Sequence, residues 1–205
     1  MAYDLDGTLV DSERVYLNAN RQAAADLGYH YVTEDFLPLV GVDERQFATV
    51  LADLLQPSEM PMFMANSQAY VDQMMHQPPL MPHVVATLTS VAQAGLSQHV
   101  VSSNHRSYVQ EVLTRAGIAH FFGEQITYED VPLAKPAPDG YLLLQQRLKL
   151  PATAIVAVED SPVGVMAAFH AGQKVVQIPD LAPASAHATV ILDTIAELPS
   201  WLGRL

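Results

Sequence analysis

The chain has 205 residues, half of them hydrophobic, with ten Lys and Arg against 22 Asp and Glu and a formal net charge of −12. That length suits one sizeable domain, or a domain with an insertion, and so acidic a surface repels nucleic acid and anionic membrane, neither of which is an expected partner. Cysteine is absent, which excludes disulfides, thiolate catalysis and zinc–sulfur sites, and with no apolar run of about 18 residues and no signal-peptide pattern we expect a soluble, cytoplasmic protein, a monomer or weak dimer.

The chain opens MAYDLDGTLVDSE. Asp4 and Asp6 stand two apart at the end of a short apolar lead, followed by Gly7 and Thr8. The lead, Met1 to Tyr3, is shorter than a typical strand of about five or six residues; either the strand is truncated or a native start lies upstream. Residues 13–80 read as helical, over 13–29, 36–55 and 62–75, with no strand between them. The Met and aromatic residues at 60–75 suit the core of that insertion. QPPLMP (77–82) reads as a linker back into an α/β region.

There, apolar runs alternate with helical patterns. HVVSS (99–103) reads as a buried strand ending at Ser102, and 107–116 as a helix stopped by Gly117. QITYEDV (125–131) is a weaker strand, and 139–150 a helix after a Pro-rich turn. AIVAV (154–158) is a clean buried strand, 163–171 a helix closed by Gly172, KVVQI (174–178) a strand and ATVIL (188–192) a short one. Such alternation implies a parallel sheet covered on both faces. The expected fold is therefore α/β: a Rossmann-like parallel-sheet core from 1–12 and 81–205, with a helical insertion over 13–80.

In open α/β sheets, ligands bind at the carboxyl ends of the strands. Asp4 and Asp6 follow MAY, Ser102 and Ser103 follow HVV, Lys135 lies in LAKPAPD, and Glu159 and Asp160 follow AIVAV. One crevice would gather carboxylates, hydroxyls and a single ammonium. Paired carboxylates 4 Å apart repel by about 4 kcal/mol at an effective dielectric near 20, so the group needs a cation, and hard oxygen ligands select Mg²⁺. Asp4 can act as a nucleophile that takes a phosphoryl group. Asp6 is placed to protonate the leaving oxygen and then deprotonate water. Mg²⁺ and Lys135 can neutralise the phosphoryl oxygens, and Ser102 can donate a hydrogen bond to them. Each piece has a blander reading, since DGT is a common turn and Ser102 can simply end a strand. A calcium loop is excluded, because its sixth and twelfth positions need Gly and Glu where this chain has Leu9 and Val15. Ser161 and Pro162 suit the first positions of the next helix. The eight His show no metal spacing.

DLDGTLVDSE, VVSSN, KPAPDGY and VEDSPVGVMAAFHAG, in that order, resemble the haloacid-dehalogenase-like hydrolases, and most closely the subgroup with a helical cap inserted after the first motif. That subgroup includes sugar-phosphate phosphatases, phosphoglycolate phosphatase and β-phosphoglucomutase. The resemblance implies that Asp4 is the nucleophile and Asp6 the general acid/base, whose backbone carbonyl also binds Mg²⁺. It implies that Ser102, Ser103 and Lys135 hold the phosphoryl group, that Asp160 is a metal ligand, and that Glu159 is a ligand or its neighbour. Residues 13–80 correspond to the cap, with Gly41, Val42 and Arg45 near the substrate.

Departures from the family sort its members. Dehalogenases and phosphonoacetaldehyde hydrolases lack an acid where this chain has Asp6, and the latter use a cap lysine, whereas the lysines here are Lys135, Lys149 and Lys174. β-Phosphoglucomutases carry a His where this chain has Tyr16 and an Arg where it has Glu44, with Arg45 one place off. Where relatives often carry Pro-Gly at the return linker, this chain has Pro82 and His83. The expected function is a Mg²⁺-dependent phosphatase for a small phosphorylated metabolite, a sugar or polyol monophosphate. The alternatives are a phosphomutase with the same chemistry and a non-catalytic binding protein on the same fold.

Overall fold

Runs of Val and Ala with both faces buried set the sheet, because parallel strands covered by helices on each side carry continuous apolar sequence. In the structure, a computed structural model that describes residues 1–40 and 44–204 and leaves the side chains of 44–46 undescribed, six strands form one sheet. They are β1 (Ala2–Tyr3), β2 (Gln98–Val101), β3 (Phe122–Ile126), β4 (Val156–Glu159), β5 (Lys174–Gln177) and β6 (Val190–Ile191). Their order is β3-β2-β1-β4-β5-β6, with every neighbouring pair parallel. The chain divides into two compact units, Met1–Asp11 with Pro79–Leu205, and Ser12–Pro78. The architecture is thus a parallel-sheet core with an inserted helical cap.

β1 is central despite its two residues. Ala2 and Tyr3 are fully buried and pair with His99 and Val100 on one side and with Ala157 and Val158 on the other. The ladder runs one step past the strand, where the Asp4 amide donates to the Val158 carbonyl at 3.0 Å. The Tyr3 hydroxyl donates to Gln98 Oε1 at 3.1 Å, and Gln98 Nε2 donates to the Leu88 carbonyl at 3.0 Å. A buried phenol and a buried amide thereby satisfy each other, which avoids the roughly 1–3 kcal/mol cost of an unpaired buried polar group.

The core unit also holds α4 (Val84–Gln93), α5 (Arg106–Arg115), α6 (Asp139–Leu148), α7 (Pro162–His170) and α8 (Leu198–Leu202). Side chains of α6 and α7, among them Tyr141, Leu144, Val165 and Ala168, share one core with Ala2, Val101, Ile126 and Ala157. α7 begins as its sequence suggests: Ser161 Oγ accepts from the Gly164 amide at 3.2 Å and Pro162 occupies the first turn.

The inserted unit contains α1 (Ser12–Asp26), α2 (Glu44–Leu54) and α3 (Met60–Met74). α1 and α3 are joined by Ser67, whose hydroxyl donates to Asn20 Oδ1 at 2.7 Å, and by Asp26, which accepts from Asn66 and Tyr70. Phe36 and Phe63 stack at 6.3 Å between ring centres, both fully buried.

Several element boundaries differ from the sequence reading. The strand expected over 125–131 is β3, which ends at Ile126; the Thr127 amide and hydroxyl both donate to Asp130 Oδ2 at 2.9 Å and fold the chain into a 3-10 turn. The helix expected over 36–55 is a 3-10 helix, Thr33–Leu39, and then α2, with Pro38 inside the first. Within the 77–82 linker, Leu80 pairs antiparallel with Val10. Helix α4, which the sequence reading passed over, follows directly. Its leading residue His83 sits at φ 68°, a left-handed turn that favours glycine and is here occupied by a side chain.

Left-handed backbone costs a non-glycine residue about 1–2 kcal/mol, part of which glycine returns through its greater freedom when unfolded. His83→Gly should therefore stabilise the protein by about 0.5–1 kcal/mol, raising Tm by about 1–4 °C for a chain of this size. Calorimetry on the purified variant checks this; an unchanged or lower Tm would contradict it.

Candidate active site

Parallel pairing sets the site. β1 and β4 lie side by side with Tyr3 opposite Val158, so the next residues on the two strands, Asp4 and Glu159, emerge together at the carboxyl end of the sheet. Asp160 follows at once. Oxygens of Asp4, Glu159 and Asp160 lie within 4.8 Å of one another. Asp4 and Glu159 are buried, at 9% and 1% exposed.

Lys135 enters this group from the loop after β3. Its ammonium donates to Asp4 Oδ1 at 2.5 Å, to Glu159 Oε1 at 2.7 Å and to the Val101 carbonyl at 2.8 Å. All three of its N–H groups are thereby used. Burial pulls the Lys135 pKa down, but Asp4 and Glu159 together outweigh it and hold the group above its ordinary value. Burial pushes Glu159 up, against the pull of Lys135, and the Asp4 carboxylate adds to the rise. We read the Lys135–Glu159 pair as ionised, because the ammonium lies within hydrogen-bond reach of both carboxylates. Burial first, then Asp4 and Glu159, raises Asp160 to about 8.

Tyr141 on α6 completes the support. Its hydroxyl donates to Glu159 Oε1, and its ring centre lies 5.5 Å from the Lys135 ammonium. Burial, then Glu159, drives its phenol well above the ordinary value, so it remains a donor. Glu159 Oε2 is buried with no protein partner. Two glycines make room for the acids: a Cβ on Gly164 would lie 1.8 Å from Glu159 Oε2, and one on Gly7, whose φ is +77°, would lie 2.4 Å from Asp160 Oδ2.

These observations test the fit of a metal. Three carboxylates face one ammonium, two of them carry raised pKa values, and a buried carboxylate oxygen is left without a partner. The donor set is all oxygen, which suits a hard divalent cation. Asp4, Glu159 and Asp160 can hold one.

Asp6 is oriented differently. Its carboxylate is held by α5 and the loop before it: Asn104 Nδ2 donates to Oδ2, and the Tyr108 hydroxyl to Oδ1, each at 2.7 Å. Ser102, buried at the end of β2, accepts from the Asn104 amide at 3.1 Å. Ser102, Ser103 and Lys135 line one small depression with Gly140 and Tyr141. Gly41 and Val42 lie outside the described residues, as does the side chain of Arg45. Sequence reasoning passed over Tyr141, Asn104 and Tyr108. A tyrosine leading the otherwise aliphatic YLLL run was the available signal for Tyr141; Asn104, in the loop before α5, and Tyr108, in its first turn, carried none.

Residues 1–178 match the family model of the haloacid dehalogenase-like hydrolases. An uncharacterised protein from the fgs 3′ region of Lacticaseibacillus casei is 38% identical over 98% of this chain and 94% of its own. The phosphoglycolate phosphatase of Vibrio cholerae is 31% identical over 84% of this chain and 80% of its own. A crystal structure of a hydrolase from Deinococcus radiodurans, with bound phosphate and sodium, shares the fold with a TM-score of 0.86 and 24% identity, covering 99% of this chain and 94% of that one.

The raised Asp160 value has a stability consequence. Between its ordinary 3.8 and about 8, the folded protein holds a proton that the unfolded chain has released. That contribution is complete below the unfolded value and is lost as pH rises through the folded one. In chelator, the stability of the wild type relative to Asp160→Asn should fall steadily from pH 4 to pH 8; the comparison cancels distant titrating groups such as His99. Thermal unfolding across that range checks it, and a pH-independent difference would contradict it.

Proposed function

The chain belongs to the haloacid dehalogenase-like hydrolases, and from that premise we propose that it is a Mg²⁺-dependent phosphatase that hydrolyses a small phosphorylated metabolite, a sugar or polyol monophosphate, through an aspartyl-phosphate. The observation that carries the reading is the Asp4–Glu159–Asp160 group with Lys135 bridging two of its members. A carboxylate nucleophile, a fixed ammonium and an oxygen-only metal site are the parts that phosphoryl transfer needs.

Asp4 attacks phosphorus as the bond to the leaving oxygen breaks, and Asp6 gives that oxygen a proton. Water then attacks the phosphorus of the aspartyl-phosphate, Asp6 takes the proton, and the bond to Asp4 breaks to release inorganic phosphate. Lys135, Ser102 and Ser103 hold the phosphoryl oxygens, and the Lys135 contact with Glu159 keeps the ammonium fixed while its contact with Asp4 changes. Asp4, Asp160, Glu159 and the Asp6 backbone carbonyl would hold Mg²⁺, which would supply positive charge to the phosphoryl oxygens. Gly41, Val42 and Arg45 would read the leaving group. Residues 13–80 carry only Arg14, Arg21 and Arg45 as permanent cations, a sparse set for holding a second phosphate, which favours water over a sugar as the final acceptor.

Asp4→Asn should fold and release no phosphate, and Asp6→Asn should lose about 10²-fold or more in kcat. Chelator should abolish activity and Mg²⁺ restore it, with Asp160→Ala the most damaging change outside the first motif. A phosphate-release screen over sugar and polyol monophosphates tests all of these. Substantial turnover by purified Asp4→Asn overturns the mechanism, and conversion of β-glucose 1-phosphate to glucose 6-phosphate with little phosphate release makes the protein a mutase.

A further inference from the structure

We propose that Asn104 and Tyr108 are positioning residues for Asp6: together they clasp its carboxylate in the orientation from which it exchanges a proton with the leaving-group oxygen. The inference rests on the phosphatase reading, in which Asp6 is the general acid/base.

The two donors take different oxygens. Asn104 Nδ2 donates to Oδ2 and the Tyr108 hydroxyl to Oδ1, each at 2.7 Å. The torsion that turns an aspartate carboxylate is broad and soft, so a single donor leaves the plane of the group free to rock. One donor on each oxygen fixes that plane.

The clasp is itself held. The Asn104 amide donates to Ser102 Oγ at 3.1 Å, and the Asn104 carbonyl accepts from the Tyr128 amide at 2.9 Å. Glu129 accepts from the Arg106 amide at 2.9 and 3.1 Å, fixing the first turn of the helix that carries Tyr108. Asn104 lies in the loop just before α5 and Tyr108 in its first turn, so the two donors reach Asp6 from one loop–helix junction. Neither gains nor loses a proton in the reaction. The proton that leaves Asp6 in the first step goes to the leaving oxygen, and the proton taken up in the second comes from water.

A misplaced acid harms some substrates more than others. A nitrophenolate departs without a proton, whereas a more basic oxygen needs one as its bond to phosphorus breaks. The test measures kcat/KM of wild type, Asp6→Asn, Asn104→Ala, Tyr108→Phe and the double variant on 4-nitrophenyl, 4-chlorophenyl and phenyl phosphates with Mg²⁺. Thermal unfolding verifies that each variant folds; Tyr108→Phe keeps its ring and Asn104 is exposed. Wild type should show a shallow dependence on leaving-group basicity and Asp6→Asn a steep one. The double variant should steepen toward Asp6→Asn, losing about 10-fold more on phenyl than on 4-nitrophenyl phosphate, a fraction of the 10²–10⁴-fold that general acid–base catalysis supplies. Each single variant should fall between. Equal losses on all three esters, no loss, or faster turnover in the double variant overturns the clasp while leaving the phosphatase reading intact. A wild type without ester hydrolysis, or Asp6→Asn with the wild-type slope, removes that reading and the clasp with it.

Discussion

Like charges at the ends of adjacent strands set the central constraint. Parallel pairing of β1 with β4 brings Asp4 beside Glu159, and Asp160 follows within the same 4.8 Å group. At such separations each carboxylate pair repels by about 4 kcal/mol when the effective dielectric is near 20. Lys135 is the protein's own answer. Its ammonium touches Asp4 at the end of β1, the Val101 carbonyl on β2 and Glu159 on β4, so one charge ties three neighbouring strands. The loop that carries Lys135, the tyrosine that holds Glu159 and the acids themselves form a single electrostatic unit. Removing one partner of such a buried pair typically costs about 3–5 kcal/mol, because the remaining charge stays buried and uncompensated.

Steric constraints follow the electrostatic ones. Glu159 fits only because residue 164 has no side chain, and Asp160 only because residue 7 has none. The glycine of the first motif therefore does two things: it adopts a left-handed turn and clears space for an acid about 150 residues away in the chain. A local reading of DGT as a turn captures the first of these and not the second.

Much of this was legible in the sequence. The alternation of AIVAV, VGVMAAFHA and KVVQI carried the parallel sheet, since buried strands and their covering helices leave distinct apolar patterns. Asp4, Glu159 and Asp160 were legible as a group because a strand end in an open sheet is a defined place, whereas Lys135 reaches them from a loop nine residues past the end of β3. What escaped depended on tertiary partners. Helix α4 starts at a His in a left-handed conformation, without the usual N-terminal signal, and so left no mark at its boundary. The end of β3 is dictated by Asp130 folding back on Thr127 rather than by a loss of strand-forming residues. Asn104, Tyr108 and Tyr141 act on acids that are distant in sequence, and no local pattern announces such partners.

The position of β1 has a consequence for the order of assembly. Its two residues pair with His99 on one side and Ala157 on the other, so the middle of the sheet cannot close until the roughly 150 residues between β1 and β4 have been made. At a synthesis rate of about 5–20 residues per second, that interval is roughly 8–30 seconds. Until its end, the segment bearing Asp4 and Asp6 has at most β2 to pair with and lacks its partner on the other side. Ser12–Pro78, compact by its own contacts, is completed on the ribosome well before β4 appears. The helical insertion is thus placed to fold early, while β1 still lacks its second neighbour.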